Sequence, residues 1–144
     1  MSELAWLSKE LKNGKIICEA CSQSCVLEEG EYGICGVRRV EGGELRLLVY
    51  GLAAAVNVDP VEKKPMFHFL PKSRAFSLGT VGCNLSCKFC QNHDISQYPK
   101  ENEYEIKGHE LPPERIVELA IEHGCDSIAY TYNEPIVFFE YTYD

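Results

Sequence analysis

The stretch 79–92 reads GTVGCNLSCKFCQN and places Cys83, Cys87 and Cys90 in a C-x3-C-x2-C spacing. Three thiolates on one short loop suit an iron–sulfur cubane, which normally takes four cysteine ligands. A missing fourth thiolate leaves one iron open, and open positions on a metal are where its chemistry takes place. The spacing alone fits equally well with a structural zinc ion whose fourth ligand lies elsewhere in the chain. The stretch therefore predicts a metal centre, with a [4Fe–4S] cluster and zinc as the two interpretations.

The segments around this loop predict an α/β fold. Residues 75–81 predict a strand that leads into the cysteines, 91–110 a long loop, 113–123 a helix, 126–132 a second strand and 136 onward another helix. A strand, a helix and a further strand in this order are typical of a parallel sheet, whose strand ends carry the functional loops. A complete (β/α) barrel needs about 250 residues, so we expect only its first two strands here. The apolar stripe of the predicted helix, which should face the sheet, consists of Ile116, Val117, Ala120 and Ile121.

The N-terminal half carries a second group of cysteines. Their spacing is C-x2-C-x3-C-x9-C, and the four residues are Cys18, Cys21, Cys25 and Cys35. A closed set of four thiols favours tetrahedral zinc as a structural staple. An auxiliary iron–sulfur cluster and no metal at all are the alternatives.

Short regular elements are predicted on both sides of this cysteine-rich module. Leucines spaced three and four residues apart predict an amphipathic helix over 3–12, and 44–58 predict one or two strands. We therefore expect two units: 1–72, with the helix, the four-cysteine module and the β segment, and 73–144, a truncated barrel start.

Composition limits the class of protein. The chain has 144 residues, 45% of them hydrophobic, and a net charge of −8, which argues against an autonomous nucleic-acid-binding protein. The longest apolar run, 47–56, is half of the about 20 residues that a membrane span needs. The N-terminus lacks the basic start and apolar core of a signal peptide, and eight cysteines without an export signal are typical of metal ligands in a reducing compartment. We expect a cytoplasmic protein with no membrane contact.

The cysteine loop resembles the signature of the radical S-adenosylmethionine (radical SAM) superfamily. That signature is C-x3-C-x2-C with an aromatic residue before the third cysteine, here Phe89. In the superfamily this residue packs near the adenine of SAM, and a GGE-like motif after the next strand binds its methionine end. Glu134 and Pro135 fit the Glu-Pro of the version found in activators of glycyl-radical enzymes, with Tyr132 and Asn133 in place of the two glycines. The resemblance thus implies a [4Fe–4S] cluster on the three cysteines, and Phe89, Asn133 and Glu134 as cofactor-binding residues.

Several further stretches resemble one family within that superfamily. They are GICGVR at 33–38, DPVEKKP at 59–65, HFLP at 68–71, FCQN at 89–92 and YTYNEP at 130–135. Together they are similar to the AmmeMemoRadiSam-system radical SAM protein, a relative of pyruvate formate-lyase activating enzyme. The resemblance runs from about residue 17 to the end of the chain. Family members are about twice as long, so the chain resembles their N-terminal part.

The resemblance implies an oxidoreductase that cleaves SAM reductively and generates a 5′-deoxyadenosyl radical. It also implies an electron donor such as a flavodoxin or ferredoxin, a protein substrate, and a downstream fragment that completes the barrel. The chain alone is short for a competent enzyme. A non-catalytic iron–sulfur or zinc-binding module is therefore the alternative function.

Overall fold

The computed structural model describes residues 2–144 and has a mixed α/β architecture of several small sheets. The N-terminal strands, in chain order, are β1 (Glu3–Leu4), β2 (Ser8–Glu10), β3 (Ile16–Cys18), β4 (Val26–Leu27), β5 (Arg38–Glu41) and β6 (Glu44–Leu47). They form two three-stranded antiparallel sheets, with the orders β1-β6-β5 and β2-β3-β4. A small apolar core of its own lies between these sheets and includes Ile16, Leu27, Val40 and Leu45.

The helix predicted over 3–12 is wrong, because this segment forms the edge strands β1 and β2. Glu3 pairs with Leu47 and Ser8 pairs with Cys18. The buried residue between the two strands is Ala5, whose amide donates to the carbonyl of Leu45 at 2.9 Å. The two sheets thus satisfy the backbone of this segment, and tertiary pairing overrides a leucine periodicity that extends over little more than two helical turns.

The remaining elements are β7 (Leu52–Ala53), β8 (Ala55–Pro60), a 3₁₀ helix (Val61–Lys63), β9 (Arg74–Gly79), α1 (His93–Ser96), α2 (Tyr98–Glu101), β10 (His109–Glu110), α3 (Pro113–Glu122), β11 (Ser127–Tyr130), a second 3₁₀ helix (Pro135–Phe138) and α4 (Phe139–Tyr143). The stretch predicted as a long loop, 91–110, thus holds α1, α2 and β10. Strand β10 pairs with β7, and β8, β9 and β11 form a third three-stranded sheet.

This third sheet confirms the predicted parallel pair. Strand β11 runs parallel to β9, from the pair Ser127–Ala75 to the pair Tyr130–Leu78. Strand β8 pairs antiparallel on the other side of β9. Alternation along β9 sends Phe76 and Leu78 into the main core, where they meet α3 and the C-terminal residues. The predicted strands and the helix between them are confirmed. The partial barrel, of which these strands would be the first two, remains a prediction.

The apolar stripe of α3 is narrower than predicted. Ile116 and Ala120 are buried, whereas Val117 is 49% exposed and Ile121 is 71% exposed. Val117 and Ile121 lie beside a shallow cavity that Ile128 of β11 also lines. Within residues 2–144 no strand pairs with this outer edge of β11, so no neighbouring element covers that side of the helix.

Contacts of Arg38 and Trp6 join the N-terminal part of the chain to the C-terminal helix. The buried Arg38 on β5 donates to both carboxylate oxygens of Glu140 on α4, at 3.1 and 2.5 Å. Trp6 packs edge-on against Phe139 and Tyr143, with ring centroids 6.1 and 5.0 Å apart, and its amide donates to Glu140 at 2.9 Å. An ion pair, a hydrogen bond from a backbone amide and aromatic packing therefore hold the N-terminal sheets against α4. Among the helices of residues 2–144, none has the length and apolar character required to cross a membrane.

Candidate functional site

The cysteine loop leaves the carboxyl end of β9 through Gly82. Gly82 has φ +87°, and a Cβ at this position would lie 2.3 Å from Cγ1 of Val37 and 2.7 Å from the carbonyl oxygen of Cys35. Only glycine accepts both this backbone conformation and this close approach. The next amide, of Cys83, donates to the same Cys35 carbonyl at 3.2 Å. Glycine therefore allows the cysteine loop to lie directly against the four-cysteine module.

The three cysteines of the loop line one cavity of about 200 Å³. Its walls also include the turn after β11 and residues of α1 and the loop around it. Besides Cys83, Cys87 and Cys90, the lining residues are Leu85, Ser96, Gln97, Tyr132, Asn133 and Glu134. The structure thus brings the predicted cluster ligands together with Asn133 and Glu134, two of the three predicted cofactor-binding residues.

Polar groups lie close to two of the three sulfur atoms of the loop. The amide of Leu85 donates to Sγ of Cys83 at 3.5 Å, and Sγ of Cys90 lies 3.4 Å from Oγ of Ser96. Lys100 of α2 places its ammonium group 3.0 Å from the carbonyl oxygen of Cys83. Hydrogen-bond donors to sulfur and a nearby positive charge stabilise thiolates and iron-bound sulfur. The three thiols are therefore chemically suited to ligate an iron–sulfur cluster or zinc. Within residues 2–144, no group of three or more His, Cys, Asp or Glu side chains is arranged to hold a metal ion.

None of the four cysteines of the N-terminal half is fully exposed. Cys18 and Cys35 are buried, and Cys21 and Cys25 are half-buried. Burial raises the pKa of Cys18, and the neighbouring charges of Cys25 and Cys21 raise it further. Burial also raises the pKa of Cys35 to about 11, with a smaller contribution from Cys18. Backbone hydrogen bonds and the nearby charge of Arg38 lower the pKa of both Cys18 and Cys35, but burial outweighs them.

The turn after β11 is held from several sides. The side-chain amide of Asn133 donates to Oγ1 of Thr80 at 3.1 Å and to the carbonyl oxygen of Gly82 at 2.6 Å. Asn92, just before α1, donates its side-chain amide to the carbonyl oxygen of Tyr132 at 3.0 Å. Gly79 permits this approach, because a Cβ there would lie 2.4 Å from the carbonyl oxygen of Thr131. The donor group of Asn133 is thus used inside the protein, and Glu134 is the residue of the turn that offers a carboxylate to the cavity.

Phe89 is the predicted site residue that lies outside the cavity of the three cysteines. Its side chain is 87% exposed, and it does not line the cavity of the three cysteines. Its role toward adenine remains a prediction.

Sequence reasoning assigned no role to Ser96, Gln97 and Lys100, or to the aromatic ring of Tyr132. Ser96 and Gln97 reach the cavity because α1 folds back toward the cysteine loop, where Gly82 donates to the carbonyl of Ile95 at 2.9 Å. Ser96 lies six positions after Cys90, and no known sequence pattern marks such a residue as part of a site. These contacts depend on the loop geometry, which the sequence does not specify by spacing.

A charged cluster lies beside the turn. Asp59, at the end of β8, is buried and accepts hydrogen bonds from Lys63 at 2.8 Å and Lys64 at 2.7 Å. Burial by itself would raise the pKa of Asp59, but the hydrogen bonds from the two lysines outweigh it and hold the pKa well below its usual range. The hydroxyl of Tyr132 donates to Oδ2 of Asp59 at 3.2 Å. Tyr132 therefore contacts both this charged cluster and the cavity of the three cysteines.

The second half of the chain matches a known family model. Residues 77–144 match the family model of the radical SAM superfamily. This radical SAM match begins within β9 and includes the cysteine loop, α3, β11 and the Glu134 turn.

A curated relative aligns with nearly the whole chain. An uncharacterized protein of Methanocaldococcus jannaschii is 43% identical over 140 residues, which are 97% of this chain. The chain spans 41% of the length of that curated relative. No solved structure matches the chain.

Proposed function

We propose that this chain binds a [4Fe–4S] cluster through Cys83, Cys87 and Cys90 and binds SAM beside it. The observation that carries the proposal is the shared cavity, which the three cysteines line together with Tyr132, Asn133 and Glu134. Three thiolates would hold three irons of a cluster and leave the fourth iron without a protein ligand, and Glu134 lines the same cavity as these thiols. The radical SAM match over 77–144 supports this assignment.

Each residue of the turn has a separate part in the proposal. The carboxylate of Glu134 binds the amino group of the methionine moiety, since opposite charges attract strongly in a partly enclosed site. Asn133 holds the turn against Thr80 and Gly82, so its contribution to SAM is the orientation of the backbone around Glu134. Phe89 would cover the adenine from its exposed position on the cysteine loop.

The bound cluster would supply one electron that breaks a carbon–sulfur bond of SAM, giving methionine and a 5′-deoxyadenosyl radical that takes a hydrogen atom from the substrate. The electron comes from a flavodoxin or ferredoxin, and the substrate class is a protein, as in the activators of glycyl-radical enzymes. The chain's own part is to ligate, to orient SAM and to keep the site shielded from water. For the four-cysteine module we propose zinc as a structural staple, supported by the mostly buried, closed set of thiols.

Anaerobic reconstitution with iron and sulfide tests the proposal. We expect about four irons per chain at this site and release of 5′-deoxyadenosine when SAM and dithionite are added. The variants Cys87→Ser and Cys90→Ser should lose both the iron and the product. Cys125→Ser is the matched control, because Cys125 is a half-buried cysteine that does not line the cavity. Zinc in both cysteine groups, with no SAM cleavage, would end the proposal.

A non-catalytic metal-binding module is the second candidate function. The observation that favours it is the size of the cavity, about 200 Å³, whereas pockets for ligands of ordinary size measure about 300–1,000 Å³. A reconstituted chain that holds iron, but neither binds SAM nor releases 5′-deoxyadenosine, would support this candidate. Addition of the part of the M. jannaschii relative that this chain does not span, supplied as a separate fragment, then shows whether SAM binding requires a larger enclosure.

A further inference from the structure

We infer that Tyr132 is a positioning residue, whose hydroxyl, held by Asp59 and Asn57, fixes the turn that presents Glu134 to the cavity. The inference rests on the proposed binding of SAM at that cavity, and it assigns the charged cluster beside the sheet to the same site. Tyr132 itself lines the cavity, and the cluster behind it does not.

The backbone of Tyr132 needs such an anchor. Its φ is +71°, in the left-handed region that residues with a Cβ rarely adopt. A bulky residue remains in this conformation only where its surroundings determine it, and such residues concentrate at functional turns. Without a compensating contact, the turn would relax to a conformation that moves Glu134 relative to the three cysteines.

The hydroxyl of Tyr132 supplies this contact through two hydrogen bonds. It donates to Oδ2 of Asp59 at 3.2 Å and accepts from the side-chain amide of Asn57 at 3.0 Å. Asn57 and Asp59 are both on β8, at alternate positions, so their side chains point to the same face of the sheet. Tyr132 thus ties a turn at the carboxyl end of the parallel strands to the neighbouring antiparallel strand.

Asp59 is itself fixed. Lys63 and Lys64 each donate to one of its carboxylate oxygens, and the carboxylate is buried. The ammonium group of Lys64 also lies 5.2 Å from the centroid of the Tyr132 ring, a distance at which cations attract aromatic faces. The pKa of Asp59 is held below its usual range, so the acceptor stays charged at neutral pH. The tyrosine is therefore anchored at both its hydroxyl and its ring.

The position of Tyr132 determines the positions of the residues that follow it in the turn. Its carbonyl oxygen accepts from Asn92, and the next residue, Asn133, donates to the carbonyl oxygen of Gly82 next to the first cysteine. Glu134 follows at once and lines the cavity. Loss of the hydroxyl anchor should reduce the fraction of chains in which Glu134 is in place, and the apparent affinity for SAM falls by that fraction.

The test compares Tyr132→Phe and Asn57→Ala with the wild-type chain. Tyr132→Phe keeps the ring and the backbone strain and removes both hydrogen bonds, whereas Asn57→Ala changes an exposed side chain and removes one. Tyr104→Phe is the matched control, because Tyr104 also has a positive φ, +61°, yet stacks on Tyr32 outside the cavity. Two readouts are needed: hydrogen exchange of the amides of 131–134 in the metal-free chain, and calorimetric SAM binding after reconstitution.

We expect the amides of 131–134 to exchange about tenfold faster in Tyr132→Phe, and less than that in Asn57→Ala, since a hydrogen bond to a charged group is lost only in the former. The dissociation constant for SAM should rise about tenfold in Tyr132→Phe, with unchanged iron content. A general structural role would instead lower the iron content. Tyr104→Phe should match the wild type in every measurement.

Equal exchange in Tyr132→Phe and the wild type would overturn the inference, whether or not SAM binds. Loss of iron comparable to that of Cys87→Ser would also overturn it. If the wild-type chain itself takes up no SAM, the proposed function fails, and the exchange experiment still decides whether the hydroxyl fixes the turn.

Discussion

Arg38 and Glu140 form a buried, two-point ion pair between the strand that follows the four-cysteine module and the last helix. Their side chains are 2% and 0% exposed, and Nε of Arg38 also donates to the carbonyl oxygen of Val137 at 3.0 Å. A planar guanidinium matches a carboxylate at two points, which fixes the angle between the two elements as well as their distance. This pair is the main polar connection from the N-terminal sheets to the C-terminal core.

Removal of one member of the pair should destabilise the chain strongly. Glu140→Gln leaves the buried guanidinium without a counter-charge, and we expect a loss of about 3–5 kcal/mol in the free energy of unfolding. Urea denaturation measures it. Arg46→Ala, which breaks the exposed pair with Glu44 on β6, is the control and should change the stability by less than about 1 kcal/mol. Similar losses in the two variants would mean that the buried pair contributes no more than a surface pair.

Gly82 should tolerate no side chain. Gly82→Ala places a Cβ in the left-handed region and within 2.3 Å of Val37, so we expect a loss of about 2–4 kcal/mol and a reduced iron content after reconstitution. Gly124→Ala is the control, because Gly124 has φ +61° with nothing within 4 Å of the added Cβ. It should lose only about 1 kcal/mol from strain. If the two variants are equally stable, the approach of Val37 and Cys35 does not restrict this position.

Asn133 should stabilise the site through its donor group. Asn133→Asp replaces the amide that donates to Gly82 with an oxygen facing the same carbonyl, which is repulsive. We expect a loss of about 1–3 kcal/mol in the free energy of unfolding, together with weaker SAM binding. Asn102→Asp, at the exposed end of α2, is the control and should leave SAM binding unchanged. Unchanged stability in Asn133→Asp would show that the turn does not depend on this side chain.

Asp59 should make the stability of the chain sensitive to acid. Its pKa in the folded chain lies below the unfolded value, which is about 3.9. The folded state therefore binds fewer protons, so the stabilisation by Asp59 is complete above that value and is lost as the pH falls toward the folded pKa. Asp59→Asn should be less stable than the wild type at pH 7, and the difference should shrink below about pH 4.

Urea titrations at several pH values measure the effect of Asp59. Asp94→Asn, which changes an exposed carboxylate on α1, should follow the wild-type dependence on pH. If Asp59→Asn retains the wild-type loss of stability in acid, another carboxylate is responsible for it.

The sequence predicted the C-terminal half well because its signals are local. Pro113 and Gly124 bound α3, and the apolar runs on both sides of it form the parallel pair β9–β11. The cysteine loop follows β9 and the Glu134 turn follows β11. Because these neighbouring strands are parallel, the loop and the turn lie at the same edge of the sheet, where they line one cavity. The mixed α/β character and the parallel strand pair could therefore be predicted from the sequence, whereas the functional site stays a prediction.

Other features depend on distant contacts and could not be predicted. The segment 3–12 has a helical spacing of leucines, but pairing with β3 and β6 decides its conformation. Tyr132 and Asp59 are 73 positions apart, and the positive φ of Tyr132 is set by tertiary contacts rather than by its side chain. The exposure of Val117 and Ile121 likewise depends on which elements surround α3, not on the helix itself.

The position of Trp6 gives the chain an optical reporter of its own assembly. Trp6 is the single tryptophan of the sequence, 46% exposed, and its indole is in edge contact with Phe139 and Tyr143. Its emission therefore monitors the docking of the first residues on the last helix, with no introduced fluorophore. A shift of that emission to longer wavelength would reveal separation of Trp6 from the last helix.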